Sequence, residues 1–245
     1  MVKKNEWFGT WFDSPYYHIL YKHRDHEEAA EFINNLSGYL HFGKKDKIMD
    51  LACGKGRHSV FLNRKGFDVT GLDLSPKNIA FANQQSNDRV RFFVHDMREV
   101  FTKKSFDYVL NMFTSFGYFD EASENEQVIA AVAKSLKKGG KFVLDFMNAE
   151  KVIKNLVQEE TKTIEGIEFK ITRTLDDHNF IVKNIEFEDN SEQYEFHEKV
   201  KAITFEEFQN YFDNANLKCV NVFGDYHLNV FEKESSDRMI FVLEK

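Results

Sequence analysis

Two short apolar runs, each ending in an acid, constrain the fold of this chain more than any other feature. Ile48 and Met49 lead into Asp50 and the Gly54-x-Gly56 turn, and a second apolar run ends in Asp73. Glycines let a backbone pass close to a ligand, and an acid at the end of the second strand can accept hydrogen bonds from a ribose diol. The order of strand, glycine turn, helix and strand predicts a βαβ unit that cradles a nucleotide.

The residues around the turn restrict the kind of nucleotide. A dinucleotide fingerprint needs a third glycine where this chain has Ser59, which argues against NAD or FAD. A Walker phosphate loop is also missing, because no glycine–lysine–serine or glycine–lysine–threonine run follows the turn. Asp50, just before the turn, instead suits a ligand that carries a cationic amino group.

Further segments extend this pattern along the chain. With the glycine turn they make five landmarks between residues 46 and 147, at 50–56, 69–75, 92–97, 106–111 and 136–142. In this order they resemble the Rossmann-like (class I) S-adenosylmethionine-dependent methyltransferase family, small-molecule type. The resemblance implies an α/β fold of three layers. Its sheet would be mostly parallel with an antiparallel last strand, and an antiparallel β insertion would precede the last helix.

The resemblance also implies which residues contact S-adenosylmethionine or its product S-adenosylhomocysteine. Asp73 would hold both ribose hydroxyls, Asp96 would accept from the adenine amino group, and the Met97 amide would face the ring. Asp50 would contact the cofactor directly or through water. An alternative role for the three acids is capping of strand ends. The full expected cofactor set is Tyr17, Tyr21, Asp50, Ala52, Cys53, Gly54, Gly56, Asp73, Leu74, Asp96, Met97 and Asn111.

The chemistry that the resemblance implies needs little from acid or base groups. Methyl transfer from a sulfonium is an in-line displacement that requires alignment and exclusion of water. We therefore expect no metal site and assign no catalytic residue. Histidines are the obvious bases near neutral pH, but each one alone is more typical of a structural or surface role. The histidines closest to the expected site or its lid are His18, His23, His58, His95 and His227.

The segment after Asn111 is where the family places its substrate. It lacks the Asn/Asp-Pro-Pro-Tyr/Phe motif of enzymes that methylate DNA bases or protein glutamine, which argues against those substrates. Two interpretations of the segment remain open. Thr114, Ser115 and Tyr118 could contact substrate, whereas Phe113 and Phe116 could belong to the core.

Composition predicts one cytoplasmic domain without nucleic-acid or membrane partners. The chain has 245 residues, a net charge of -7 and two cysteines without metal or disulfide spacing. An acidic surface repels a phosphate backbone, and neither a signal peptide nor a long apolar run is recognisable. We expect a monomer or homodimer that acts on a small-molecule acceptor. Its parts would be an N-terminal arm and helix (1–40), a cofactor-binding core (46–147) and a β-rich insertion (161–202).

The N-terminal arm is unusually aromatic between Trp7 and Tyr21, so it must pack on something. We expect residues 7–24 and the insertion to form a substrate lid. Alternatively, the arm could cover a sheet edge or form a dimer contact. Two other functions also stay open for the chain, namely a catalytically inactive cofactor-binding scaffold and, more remotely, a nucleotide-dependent oxidoreductase.

Periodicity and capping signals predict the individual elements. Asp25 is expected to begin a helix that runs to Leu40, Ser75 and Thr204 to cap two others, and Gly139 to end the helix before strand five. The helix after Gly56 is expected to bury Val60, Phe61 and Leu62, and the insertion to contain three strands. The other strands are expected at 46–51, 90–95, 106–111, 141–147, 218–224 and 238–244.

Overall fold

The computed structural model describes residues 7–22 and 26–245. The helices are α1 (Trp7–Trp11), α2 (Pro15–Leu20), α3 (His26–Leu40), α4 (Arg57–Arg64), α5 (Pro76–Ala82), α6 (Ala122–Ser135), α7 (Ala149–Lys154) and α8 (Phe205–Asn214). The strands are β1 (Lys47–Leu51), β2 (Asp68–Asp73), β3 (Val90–Val94), β4 (Phe106–Asn111), β5 (Leu136–Met147), β6 (Glu159–Ile164), β7 (Ile167–Leu175), β8 (Phe180–Asp189), β9 (Glu192–Lys201), β10 (Lys218–Phe223) and β11 (Arg238–Glu244).

A seven-stranded sheet forms the centre of the molecule, with strand order β10-β11-β5-β4-β1-β2-β3. Strands β1 to β5 run parallel, whereas β11 lies antiparallel between β5 and β10. The expected fold class is confirmed, including the antiparallel last strand. The strand order reverses between β1 and β4, and ligands of open α/β sheets bind beyond the strand ends at such a point.

Apolar residues cover both faces of this sheet and make the three layers. On one face, α6 and α8 bury Val128, Ile129, Phe208 and Phe212 against the strands. On the other face, α3, α4 and α5 do the same with a second cluster that includes Phe32. Strands buried on both sides need continuous apolar runs, and residues 142–144 of β5 and 239–243 of β11 are such runs.

Two of the residues expected to cap helix N-termini do so in the structure. The Ser75 side chain accepts from the Asn78 amide at 3.0 Å, and Pro76 occupies the first helical position of α5. Thr204 and Glu207 form a complete capping box at the start of α8. Both predictions are confirmed. The expected cap at Asp25 lies outside the described residues.

Three local expectations are wrong. Helix α6 ends at Ser135 rather than at Gly139, because the buried Leu136 is already extended and paired with Phe106 of β4. The insertion has four strands, since a turn with positive φ at Glu165 and Gly166 divides the first expected strand into β6 and β7. Of the expected core of α4 only Leu62 is fully buried, whereas Val60 and Phe61 line a cavity.

The insertion forms a separate antiparallel sheet with strand order β6-β7-β8-β9. One face of this sheet packs against α1 and α2 through a cluster that includes Trp11, Leu20, Phe169 and Phe187. Within the described part of the chain, no helix is both long and apolar enough to cross a membrane.

Candidate active site

A cavity of about 930 Å³ lies beyond the carboxyl ends of β1, β2 and β4. Ten of the twelve expected cofactor residues line it, and Gly56 and Asn111 do not. The wall also includes residues of the N-terminal arm and of the insertion, among them Trp7, Phe12, Glu198 and Val200. The lining residues that match the expected set are Tyr17, Tyr21, Asp50, Ala52, Cys53, Gly54, Asp73, Leu74, Asp96 and Met97.

The glycine turn depends on its backbone angles. Ala52, Gly54 and Gly56 all have positive φ, at 62°, 54° and 79°. A Cβ on Gly54 would meet no atom within 4 Å, so this residue borders open space. A Cβ on Gly56 would lie 2.6 Å from the Phe92 ring, which explains why Gly56 shapes the turn without lining the cavity. The turn therefore presents bare backbone to a ligand.

Asp73 ties the turn to the end of β2. Its Oδ2 accepts from the Gly54 amide at 2.8 Å, and its Oδ1 accepts from the Ser75 amide at 2.9 Å. Burial raises the pKa of this carboxyl, although bonds from these amides and from Asn78 oppose the rise. Each oxygen keeps lone-pair capacity, because an ionised carboxylate can accept about four hydrogen bonds. Asp73 can thus bind a ligand diol and fix the turn at once.

Asp50 is fully enclosed at the end of β1. Burial raises its pKa to about 6, a hydrogen bond from Ser59 opposes the shift, and the nearby charge of Asp73 adds to it. Ser59 Oγ donates to Asp50 Oδ2 at 2.5 Å. A serine at the third-glycine position thus holds the acid in place, a role that the sequence pattern did not reveal.

Asp96 is already paired with Arg98. The guanidinium donates to both carboxylate oxygens at 2.6–3.1 Å, and the Arg98 amide adds a bond of 2.9 Å. Burial alone would raise the pKa of Asp96, but the bonds from Arg98 outweigh it and lower the pKa. Arg98 also contacts Glu124 at 2.7 Å and lies over the Phe119 ring. Asp96 is therefore rigidly oriented beside the cavity.

Asn111 is a buried brace at the end of β4. Its side-chain amide donates to the backbone oxygens of Leu51 and Ser115 at 3.0 and 3.1 Å. These bonds join the end of β1 to the segment after β4. Its Oδ1 is buried without a hydrogen-bond partner among the described residues.

Aromatic rings of the N-terminal arm roof the cavity. Trp7, Phe12 and Tyr118 pack edge to face or tilted with centroids about 5.5 Å apart, and Tyr17 lies 5.0 Å from Phe12. Glu198 of β9 lies among these rings. It adds polar contacts to the packing between the arm and the insertion.

Glu198 makes these polar contacts. Its Oε1 accepts from Trp11 Nε1 at 2.7 Å and from the Tyr21 hydroxyl at 2.5 Å, and its Oε2 lies 3.6 Å from Lys183 Nζ. Tyr21 also accepts a hydrogen bond from Lys183. One carboxylate therefore joins α1, the end of α2 and two strands of the insertion.

The histidines separate into two groups. His18, His58 and His95 line the cavity, whereas His227 is exposed and lies 3.2 Å from Glu31. Burial, followed by the charge of Lys55, lowers the pKa of His18, and the charge of Asp13 opposes this shift. The remaining candidate, His23, lies outside the described residues.

The segment after β4 contributes to both core and cavity. Phe116 is fully buried, whereas Phe113, Thr114, Ser115 and Tyr118 line the cavity. The core interpretation is therefore right for Phe116 and only partly right for Phe113, which is half-buried. Substrate contact by Thr114, Ser115 and Tyr118 stays a prediction. No group of three or more potential metal-ligating side chains occurs among residues 7–22 and 26–245.

The site fits S-adenosylmethionine on its own chemistry. The site combines exposed glycine backbone with a strand-end carboxylate and an enclosed second acid. Together these groups can bind a ligand that carries an amino-acid portion, a diol and a cationic amino group. A family model described as a methyltransferase domain matches residues 48–140, which include β2 to β4 and all of β1 except its first residue. These comparisons support a class I S-adenosylmethionine-dependent methyltransferase.

Several relatives resemble this methyltransferase. The protein named "Putative methyltransferase YqeM" of Bacillus subtilis is 28% identical over 82% of this chain and 85% of its own. A dTDP-3-amino-3,4,6-trideoxy-alpha-D-glucopyranose N,N-dimethyltransferase of Streptomyces venezuelae is 31% identical over 40% of this chain and 41% of its own. None of these relatives carries the name of an oxidoreductase, so that alternative gains no support.

Solved structures show the same fold. An S-adenosylmethionine-dependent methyltransferase of Clostridium acetobutylicum has a TM-score of 0.79 at 19% identity, covering 94% of this chain and 95% of its own. CalS10 of Micromonospora echinaspora, an amino pentose methyltransferase with bound S-adenosylmethionine, has a TM-score of 0.72 at 24% identity. It covers 94% of this chain and 97% of its own.

Proposed function

We propose that this methyltransferase modifies a small-molecule acceptor held beneath the aromatic roof of the cavity. The observation that carries the proposal is one continuous cavity of about 930 Å³, which extends from the glycine turn to the rings of the arm. Sites for cofactors and small molecules occupy roughly 300–1,000 Å³, so this cavity suits a cofactor together with a small acceptor. Relatives named for amino-sugar and glycine methylation support the substrate class.

The cofactor would lie along the carboxyl ends of β1 and β2. In this proposal Asp73 holds the ribose hydroxyls, Asp50 attracts the amino group, and the backbone of Gly54 borders the amino-acid portion. Asp96 and Met97 bound the adenine, with Leu74 against the ring. Asp96 would share its oxygens between Arg98 and the adenine amino group, because both oxygens already accept from Arg98.

The remaining groups serve alignment and exclusion of water. S-adenosylmethionine, when bound, supplies a methyl group that is already activated by its sulfonium. Asn111 fixes the end of β4 relative to β1, and the loop after it borders the acceptor. The arm and the insertion exclude solvent from above. We assign no catalytic base, because alignment alone can supply much of the rate in such a displacement.

The acceptor is proposed to be uncharged or cationic. Ring faces of Trp7, Phe12, Tyr17 and Tyr118 can hold an apolar or cationic body, and Glu198 places a carboxylate among them. Each cation–ring contact contributes about 0.5–2 kcal/mol. Polyanionic partners are disfavoured by a net charge of -7, so we propose no nucleic-acid substrate.

A metabolite-library screen for production of S-adenosylhomocysteine tests this function. We expect turnover with at least one small amine or hydroxyl compound and none with RNA or DNA. Robust methylation of RNA or DNA would contradict the substrate class. Binding of S-adenosylhomocysteine without turnover on any compound would favour the inactive scaffold.

A further inference from the structure

The loop that follows β4 adopts a conformation that its residues disfavour. Phe113 and Thr114 have φ angles of 59° and 58°, in the left-handed region that aromatic and branched residues rarely enter. Both residues line the cavity, together with Ser115. Two successive strained residues at a site persist only when the surrounding structure fixes them.

A buried ion pair on β5 and β11 fixes this loop. Asp145 is fully buried, and its Oδ2 accepts a hydrogen bond of 2.6 Å from the Phe113 amide. The Thr114 amide donates to the backbone oxygen of Asp145 at 3.1 Å. Arg238 donates to Asp145 Oδ1 at 2.8 Å and to Thr114 Oγ1 at 2.9 Å. Each of the two strained residues is therefore bonded directly to the pair.

Tyr226 completes the support around the pair. Its hydroxyl lies 3.4 Å from Asp145 Oδ2, and the Arg238 guanidinium lies 5.5 Å from the centre of its ring. The same ring is 5.3 Å from the Phe113 ring, which stacks on His58. Asp145, Arg238 and Tyr226 are themselves absent from the described cavity wall. The contacts of the pair with the cavity wall therefore run through the loop.

We propose that Asp145 and Arg238 are positioning residues that set the acceptor side of the cavity through Phe113 and Thr114. This inference rests on the proposed small-acceptor function. Strands β5 and β11 lie on one side of β4, whereas Gly54 and Asp73 belong to the segments after β1 and β2 on its other side. Disturbing the pair should therefore change acceptor turnover and leave cofactor affinity almost unchanged.

The first test uses S-adenosylhomocysteine as the only ligand. Asp145→Asn keeps the side-chain shape but removes the charge and one acceptor oxygen. We expect its calorimetric affinity for S-adenosylhomocysteine to stay within about twofold of the native protein, since Asp50, Gly54 and Asp73 lie at the ends of β1 and β2, on the other side of β4 from the change. The amides of Phe113 and Thr114 should exchange faster, and the amides of Cys53 and Gly54 should not.

A control comes from another ion pair that also involves β5. Asp107 of β4 contacts Lys137 of β5 at 2.6 Å, away from the cavity. Asp107→Asn should leave exchange at Phe113 and Thr114 unchanged. If Asp145→Asn fails to fold, Arg238→Lys serves instead, because lysine keeps the positive charge but cannot bridge Asp145 and Thr114 with a fork of donors.

The second test separates positioning from general stability by relieving the strain. Thr114→Gly and Thr114→Ala both remove the hydroxyl that Arg238 contacts, but only glycine adopts a positive φ freely. On the best acceptor from the screen, Asp145→Asn should lower kcat/KM by about 100-fold, as a small misplacement can do. Adding Thr114→Gly to Asp145→Asn should raise kcat/KM by about tenfold, and adding Thr114→Ala should not raise it.

Three outcomes would overturn the inference. The first is unchanged hydrogen exchange at Phe113 and Thr114 in Asp145→Asn. The second is a loss of protection at Gly54 that equals the loss at those two residues. The third is an equal effect of Thr114→Gly and Thr114→Ala on kcat/KM. Absence of any small acceptor in the screen would count against the proposed function instead. The exchange and calorimetry results would still decide whether the pair holds the loop independently of the cofactor site.

Discussion

Replacing Asp50 with asparagine should stabilise the cofactor-free protein while it weakens cofactor binding. Burial raises the pKa of Asp50 from 3.8 to about 6, because desolvation disfavours the charged carboxylate. A difference of about 2 pKa units corresponds to about 3 kcal/mol at neutral pH. Asparagine removes this unfavourable charge and can still accept from Ser59, so we expect a gain of about 1–3 kcal/mol in the free energy of unfolding.

The dependence on pH gives this prediction a second signature. Between about pH 4 and pH 6 the folded protein keeps a proton on Asp50 that the unfolded chain has lost. The contribution of Asp50 to stability therefore falls as the pH rises through that window. The advantage of Asp50→Asn should be largest at neutral pH and about half as large near pH 5.

Urea denaturation of the cofactor-free protein at both pH values measures these effects. Asp88→Asn, a change at an exposed position outside the cavity, is the matched control and should leave stability almost unchanged. Calorimetry should show at least about tenfold weaker binding of S-adenosylhomocysteine to Asp50→Asn, since a charge-assisted contact of about 1.5–3 kcal/mol is lost. A variant less stable than the native protein at neutral pH, or equally stabilised at both pH values, would refute the reasoning.

Three further predictions concern the turn, the roof and the arm. Gly54→Val should abolish calorimetric binding of S-adenosylhomocysteine, whereas Gly66→Val, which also changes a glycine with positive φ but lies outside the cavity, should not; equal binding would contradict the open-space argument. Glu198→Ala should speed hydrogen exchange in α1 and α2, because the half-buried carboxylate that accepts from Trp11 and Tyr21 is lost at about 1–3 kcal/mol; unchanged exchange would exclude Glu198 as the attachment. Removing residues 1–24 should lower turnover far more than His18→Ala, and a folded truncated enzyme with full turnover would contradict water exclusion by the arm.

Local patterns, together with the family resemblance that they carry, were sufficient to predict the fold and the location of the cavity. The acids and the glycine turn lie at strand ends, and parallel strands bring those ends to one edge of the sheet. Caps such as Thr204 with Glu207 are also local, which is why they could be recognised from spacing alone. The assignment of individual residues to parts of the cofactor stays a prediction.

Contacts between distant parts of the chain could not be predicted in this way. The bond between Glu198 and Trp11 joins residues that are 187 positions apart, and the Asp145–Arg238 pair spans 93 positions. No periodicity relates such positions, so only the folded structure reveals them. The turn at Glu165 was missed because apolar residues continue on both sides of it, which made two strands look like one.

The role of Asp73 in ribose binding is the central claim about the cofactor site, and calorimetry can test it most directly. Native protein and Asp73→Ala would each be titrated with S-adenosylhomocysteine and with an analogue that lacks the ribose hydroxyls. If the carboxylate binds the diol, removing the hydroxyls should weaken binding to the native protein by about 10- to 100-fold and leave binding to Asp73→Ala almost unchanged. An equal loss in both proteins would contradict the account.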